Sequence, residues 1–190
     1  MLEKELKVAL SKDEYEKIEK LIKWEDVYDQ INFYYAKAGN EDVKGTPTVR
    51  IRSKKKGMKL EVKMPVSSNE GSVKQHEEYA MDIDHIPGVI EKETLNKLLG
   101  RSDMEDVQLL GYLSTKRMIS TKYPGTEIAL DMNEYYGKVD YELEVEFIDE
   151  LPKELLDELS FLNIDMNKKV TGKYRRFINE RKVRGIGKDN

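Results

Sequence analysis

The sequence predicts a mainly β, α+β fold: an eight-stranded antiparallel closed β-barrel with flanking helices. Three observations lead there. Strand-length segments that alternate apolar and charged residues recur along the chain, bounded by turn residues. Helical segments with leucine stripes stand among them and need an apolar surface to cover. The charged faces also sort by sign from strand to strand. That suits an enclosed lumen better than a solvated sheet face, and closure leaves no sheet edge to protect.

The first strand is expected over Leu2–Leu10, with Glu3, Glu5 and Lys7 on one face. Ser11 and Glu14 form an S-x-x-E capping box. They open a helix in which Tyr15, Ile18, Leu21 and Ile22 recur at helical spacing. QINFYYAK reads as the second strand. TVRIRSK and MKLEVKM read as a hairpin split at KKKG, and PVSSNEG as a polar loop before a strand near KQHEEYAM. The stretch from Pro87 to Gly111 is expected to be mainly helical. It carries a glycine stop at Gly100 and a second capping box in Ser102 and Glu105. YLSTKRMISTKY and TEIALDM form two strands joined at YPGT, and a turn at Gly137 leads into YELEVEF. Pro152 opens a helix with Leu155, Leu156 and Leu159 on one side, and a last helix runs through KYRRFINERK.

The 190 residues suffice for one domain with a sizeable core. That domain is expected over residues 1–180, with 181–190 as a flexible tail. Charged residues make up 37% of the chain, yet the net charge is only −4. No basic excess points to nucleic acid or an anionic membrane. The chain has no cysteine, which excludes a disulfide framework and thiolate chemistry. The charged start argues against a signal peptide, and no apolar run reaches membrane-spanning length. A cytoplasmic monomer or homodimer is expected.

The charged faces carry the functional signal. TVRIRSK presents Arg50, Arg52 and Lys54; MKLEVKM presents Lys59, Glu61 and Lys63. Later strands present Arg117, then Asp131, then Glu142, Glu144 and Glu146. A wet face of an antiparallel sheet would explain any one strand. It does not explain glutamates gathered on the first and last strands with cations on the middle ones. Enclosed charges need partners. Rows of Arg and Lys suit phosphate oxygens. Grouped carboxylates suit a hard divalent cation such as magnesium or manganese.

The opening Glu3-Lys4-Glu5-Leu6-Lys7 is followed in order by RIR, L-E-V-K, a T-K-R strand, E-L-E-V-E and a C-terminal KYRRF. In this the sequence resembles the CYTH superfamily, the triphosphate tunnel metalloenzymes, from Glu3 to about Phe177. The resemblance implies an eight-stranded tunnel that binds triphosphate with Mg2+ or Mn2+. It implies that Glu3, Glu5, Glu144 and Glu146 bind metal. Lys7, Arg50, Arg52, Lys63, Arg117 and Lys173 would bind phosphates, and Glu78 and Glu142 would line the tunnel. Glu3, Glu5, Lys7, Glu61 and Asp131 are assigned to catalysis. Two departures stand out. Ala36 and Lys37 follow Tyr35 where the family commonly has an aspartate and a threonine, and Thr115 stands where some triphosphatases have a lysine.

Other candidates read as structural. His76 and His85, the only histidines, suit a hydrogen-bonded strand position and a turn. Trp24 suits core packing, and Tyr34, Tyr35, Tyr135 and Tyr136 suit packing between sheet and helix. Neither a glycine-rich phosphate loop nor a Ser-His-Asp arrangement is present. The leading expectation is a metal-dependent hydrolase acting on inorganic or organic triphosphate. A class IV-type adenylyl cyclase and a non-catalytic polyphosphate or nucleotide binder remain alternatives with the same ligands.

Overall fold

In the computed structural model, residues 4–41, 45–65, 76–168 and 170–187 are described. The elements in chain order are β1 (Lys4–Leu10), α1 (Lys12–Leu21), β2 (Asp26–Ala36), β3 (Thr48–Lys54), β4 (Gly57–Pro65), β5 (His76–Ile83) and β6 (Val89–Ile90). They continue with α2 (Lys92–Leu99), β7 (Val107–Ser120), β8 (Thr126–Tyr135), β9 (Lys138–Phe147), α3 (Lys153–Phe161) and α4 (Lys173–Val183). The sheet runs in the order β1-β9-β8-β7-β2-β3-β4-β5, with β6 paired to β7.

This order corrects the expected closed barrel. Every strand of a barrel has two neighbours. Here β1 pairs with β9 alone and β5 with β4 alone, so among the described residues the sheet is open. Period-two patterning shows which face each residue takes, but it carries no information on whether the first and last strands meet.

The chain forms two compact units. The first comprises residues 1–29 and 114–172. Val8, Met118, Ile128, Leu130, Leu143 and Val145 from β1, β7, β8 and β9 pack under Tyr15 and Ile18 of α1 and Leu155 and Leu159 of α3. The predicted capping box is present: Ser11 N–H donates to Glu14 Oε2 at 2.7 Å, and Glu14 N–H donates to Ser11 Oγ. Trp24 packs against this core and donates its indole N–H to the Glu19 carbonyl. Leu156 departs from the predicted stripe and is more than a third exposed. The helix turns 100° per residue, so Leu155 and Leu159 share a face that Leu156 leaves.

The second unit comprises residues 30–113 and 173–190. Tyr35, Val49, Ile51, Leu60, Val62 and Val107 form its core with Ile90 and Leu95. The hairpin at KKKG is as expected: Lys54 pairs with Gly57 across two turn residues, and Gly57 takes φ +138°. The expected helix to Gly111 ends earlier. Gly100 adopts the left-handed conformation and stops α2, and β7 begins at Val107. Ser102 and Glu105 therefore cap no helix. The intervening chain folds back instead: Met104 N–H donates to the Asn96 side chain, and Lys92 N–H donates to Asp106 Oδ1. The side-chain oxygens of Asn96 and Asp106 accept these bonds and hold the chain in a turn.

Candidate functional site

In the first unit, antiparallel register places the charged residues of β1, β9, β8 and β7 side by side. Glu5 faces Glu146 and Lys7 faces Glu144 across β1 and β9. Asp131 faces Glu142 across β8 and β9, and Arg117 faces Asp131 across β7 and β8. This is not a wet sheet face. Asp131 is fully buried, Glu142 is 1% exposed and Glu144 6%, while Leu143 and Val145 on the opposite face are also buried. Oxygens of Asp131, Glu142 and Glu144 lie within 4.8 Å of one another.

Arg117 binds two of the three. Its Nε donates to Asp131 Oδ1 at 2.8 Å and its Nη2 to Asp131 Oδ2 at 2.6 Å, and Nη2 also reaches Glu144 Oε2 at 2.8 Å. The reach to Glu144 is diagonal, past Ala129, which faces Glu144 in register and offers only a methyl group. Burial works against the guanidinium charge, but the hydrogen bonds and charge of Asp131, with Glu144 behind, outweigh it and raise the Arg117 pKa. Lys7 sits 2.8 Å from Glu5 and 3.2 Å from Glu144. Farther along the same face, Thr115 donates to Asn133 at 2.7 Å, Asn133 donates to Asp140 at 3.1 Å, and Tyr135 donates to Asp140 at 2.6 Å. Thr115, one of the two departures noted from sequence, is thus a buried neutral member of this network.

In the second unit, β3 and β4 carry the cations. Arg50 donates to Glu61 Oε2 from Nε at 2.8 Å, with Nη2 at the same distance, and Arg52 Nη1 lies 3.7 Å from that oxygen. Arg52 Nε donates to Asn32 Oδ1 at 3.0 Å. Lys63 pairs with Glu78 at 2.8 Å, and this contact first, with the charges of Arg50 and Arg52, outweighs burial to lower the Glu78 pKa. Thr48, Arg50, Glu61, Val62, Lys63 and Glu78 line a small cleft. Tyr34 is fully buried against Tyr174 and Phe177 of α4, with ring centroids 5.2 and 5.1 Å away. Burial raises its pKa, opposed by the charges of Arg50, Lys173 and Arg52. Lys37, one of the two departures, pairs with Glu105 instead.

The structure thus gathers Asp131, Glu142 and Glu144 with Arg117, sets Lys7 between Glu5 and Glu144, and places Glu146 opposite Glu5. It gathers Arg50, Arg52, Glu61, Lys63 and Glu78 separately. Glu3 lies outside the described residues, as does the side chain of His76. His85 is exposed and contacts Asp84 in its turn. Asn32, Asn133 and Asp140 were missed from sequence. The signal for Asn32 was its alternation with Tyr34 in QINFYYAK; for the other two it was their position on the charged faces of β8 and β9.

A divalent cation would suit the carboxylate group. All its donors are oxygens, the ligand chemistry of hard cations. The three buried carboxylates lie together, with Arg117 and Lys7 as cations beside them.

The CYTH domain family model matches residues 1–178. The fold is shared with the candidate adenylyl cyclase HpAC1 from Hippeastrum, described as having a dominant triphosphatase activity. The TM-score is 0.70 at 20% identity, over 94% of this chain and 96% of that one. It is shared with a candidate adenylate cyclase from Bacillus halodurans, with TM-score 0.64 at 22% identity over 93% and 99%. The PH1819 protein of Pyrococcus horikoshii OT3 gives TM-score 0.55 at 16% identity over 95% and 99%. At these identities the likeness speaks for the fold alone. No curated protein matches the sequence. A family match over nearly the whole chain, on a fold with the strands and charged faces described, shows that this protein belongs to the CYTH domain family.

Proposed function

We propose that this protein is a divalent-metal-dependent hydrolase of triphosphate-containing substrates. The buried group of Asp131, Glu142 and Glu144 carries the reading, because a plain binder of anions would have no use for three enclosed carboxylates. The family's triphosphate chemistry and the activity described for the Hippeastrum relative support it.

Phosphoryl transfer needs charge neutralisation and in-line geometry more than covalent chemistry. Arg50, Arg52 and Lys63 take phosphate oxygens, exchanging the carboxylates of Glu61 and Glu78 for those of the ligand. In the first unit, Arg117 and Lys7 also suit phosphate oxygens. Asp131, Glu142 and Glu144 would hold Mg2+ or Mn2+, with Glu3, Glu5 and Glu146 as the further carboxylates that the family resemblance implies. The ion, when bound, draws charge from the phosphoryl oxygens. A carboxylate oxygen accepts a hydrogen bond from the attacking water and holds it in line.

A second reading comes from the Hippeastrum and Bacillus relatives, both candidate cyclases: the 3'-hydroxyl of ATP could attack in place of water. A substrate panel with Mg2+ and with Mn2+ separates the readings. Inorganic triphosphate, longer polyphosphate, ATP and thiamine triphosphate would be assayed for phosphate, pyrophosphate and cyclic AMP. Phosphate release from a triphosphate is the expected result. Cyclic AMP with pyrophosphate would support the cyclase, and saturable binding without product would leave only a binding module.

A further inference from the structure

We propose that Arg117 is a displaceable internal counter-ion, which holds the carboxylate group closed to a divalent cation until phosphate oxygens draw the guanidinium away. The inference rests on the metal-dependent reading above and assigns the order in which its parts assemble.

The contacts define a competition. Arg117 engages both oxygens of Asp131 and one of Glu144, and these residues are two of the three in the carboxylate group. A cation on the same oxygens would meet a fixed positive charge inside a buried site, where charges interact strongly. A guanidinium stays charged in proteins, so losing a proton does not resolve this. It must move. Its side chain is 15% exposed, so it is not sealed in as Asp131 is. Phosphate offers the same fork of anionic oxygens as Asp131 does. Moving from one to the other costs Arg117 little, and an incoming cation compensates the carboxylates it leaves. Phosphate and metal should therefore help each other bind, and linkage makes the help mutual.

Mn2+ binding without any phosphate tests this on the full chain, read from the free-ion signal in electron paramagnetic resonance. Arg117→Met should bind Mn2+ about tenfold tighter than the unmodified protein. Lys7→Met also removes a positive charge beside Glu144 but touches neither Asp131 oxygen, so its effect should be clearly smaller. Equal affinity in Arg117→Met and the unmodified protein would overturn the proposal. So would an equal gain in Lys7→Met, which would reduce the effect to local charge. Should Arg117→Met fail to fold, the Arg117 Nε–H resonance of the unmodified protein decides. Saturating Mg2+ should shift it and speed its exchange with water, and an unchanged resonance would overturn the proposal. Failure of every form to bind Mn2+ would remove the metal-dependent reading itself and this inference with it. Equal binding by all forms would remove only the role of Arg117.

Discussion

Arg117 holds Asp131 by both arms of its guanidinium, at 2.8 and 2.6 Å, across directly opposed positions of β7 and β8. Asp131 has no exposed surface. The pair thus combines the strongest geometry available to an arginine with full enclosure of its partner.

Breaking it from one side should be costly. Arg117→Ala takes from buried Asp131 and Glu144 the guanidinium that both contact, and should destabilise the protein by about 3–5 kcal/mol in urea unfolding. Adding Asp131→Asn should restore part of the loss, because the neutral amide needs no counter-ion. Strict additivity of the two changes would contradict the description of the pair as one coupled unit.

Under the proposed function, Glu61 competes with phosphate for Arg50 and Arg52, which both lie near its Oε2. Glu61→Gln removes that negative charge and keeps the shape. Metal-free titration calorimetry should show inorganic triphosphate binding tighter, by a factor of several, corresponding to roughly 1 kcal/mol. Weaker binding would mean that Glu61 orients the two arginines for the ligand rather than competing with it.

Arg52 and Lys54 share a face of β3 but not an environment. Arg52 is half-buried and bound to Asn32, whereas Lys54 is exposed beside the hairpin turn. Arg52→Ala should cost about 1.5–3 kcal/mol in triphosphate affinity, and Lys54→Ala less than about 1 kcal/mol. Equal losses would place Lys54 in the binding face.

The capping box gives a pH prediction that is independent of the site. Burial raises the Glu14 pKa, but hydrogen bonds from Lys168 and Ser11 outweigh it, so the folded value lies below the ordinary 4.5. A carboxylate lowered on folding contributes stability that is present above 4.5 and is lost as pH falls through the folded value. The thermal midpoint should fall with pH over that acidic range, and Glu14→Gln should flatten the fall. An unchanged slope in the variant would show that Glu14 takes no part in it.

The residues themselves show why some of this was legible in the sequence. Arg50, Arg52, Glu61 and Lys63 could be assigned to one face because alternation needs no partner strand. The Ser11–Glu14 cap was legible because both halves lie within four residues. The grouping of Asp131 with Glu142 and Glu144 depends on the register of β8 against β9, which no single strand encodes. The open ends at β1 and β5 are likewise a property of pairing, not of pattern. The stretch after Gly100 misled because Ser102 and Glu105 have the spacing of a cap, while Asn96 and Asp106 hold the chain in a turn.

The most direct test of the central claim is phosphate release from inorganic triphosphate by the unmodified protein and by Glu144→Gln. Glu144, a member of the carboxylate group, contacts both Arg117 and Lys7. The account predicts that the unmodified protein releases phosphate with Mg2+ or Mn2+, stops when a chelator is added, and resumes when the ion is restored. It predicts that Glu144→Gln, with its unfolding midpoint retained, loses at least about a hundredfold in rate, as removal of transition-state charge stabilisation typically does. Turnover that continues in the chelator, or full activity in Glu144→Gln, would contradict it.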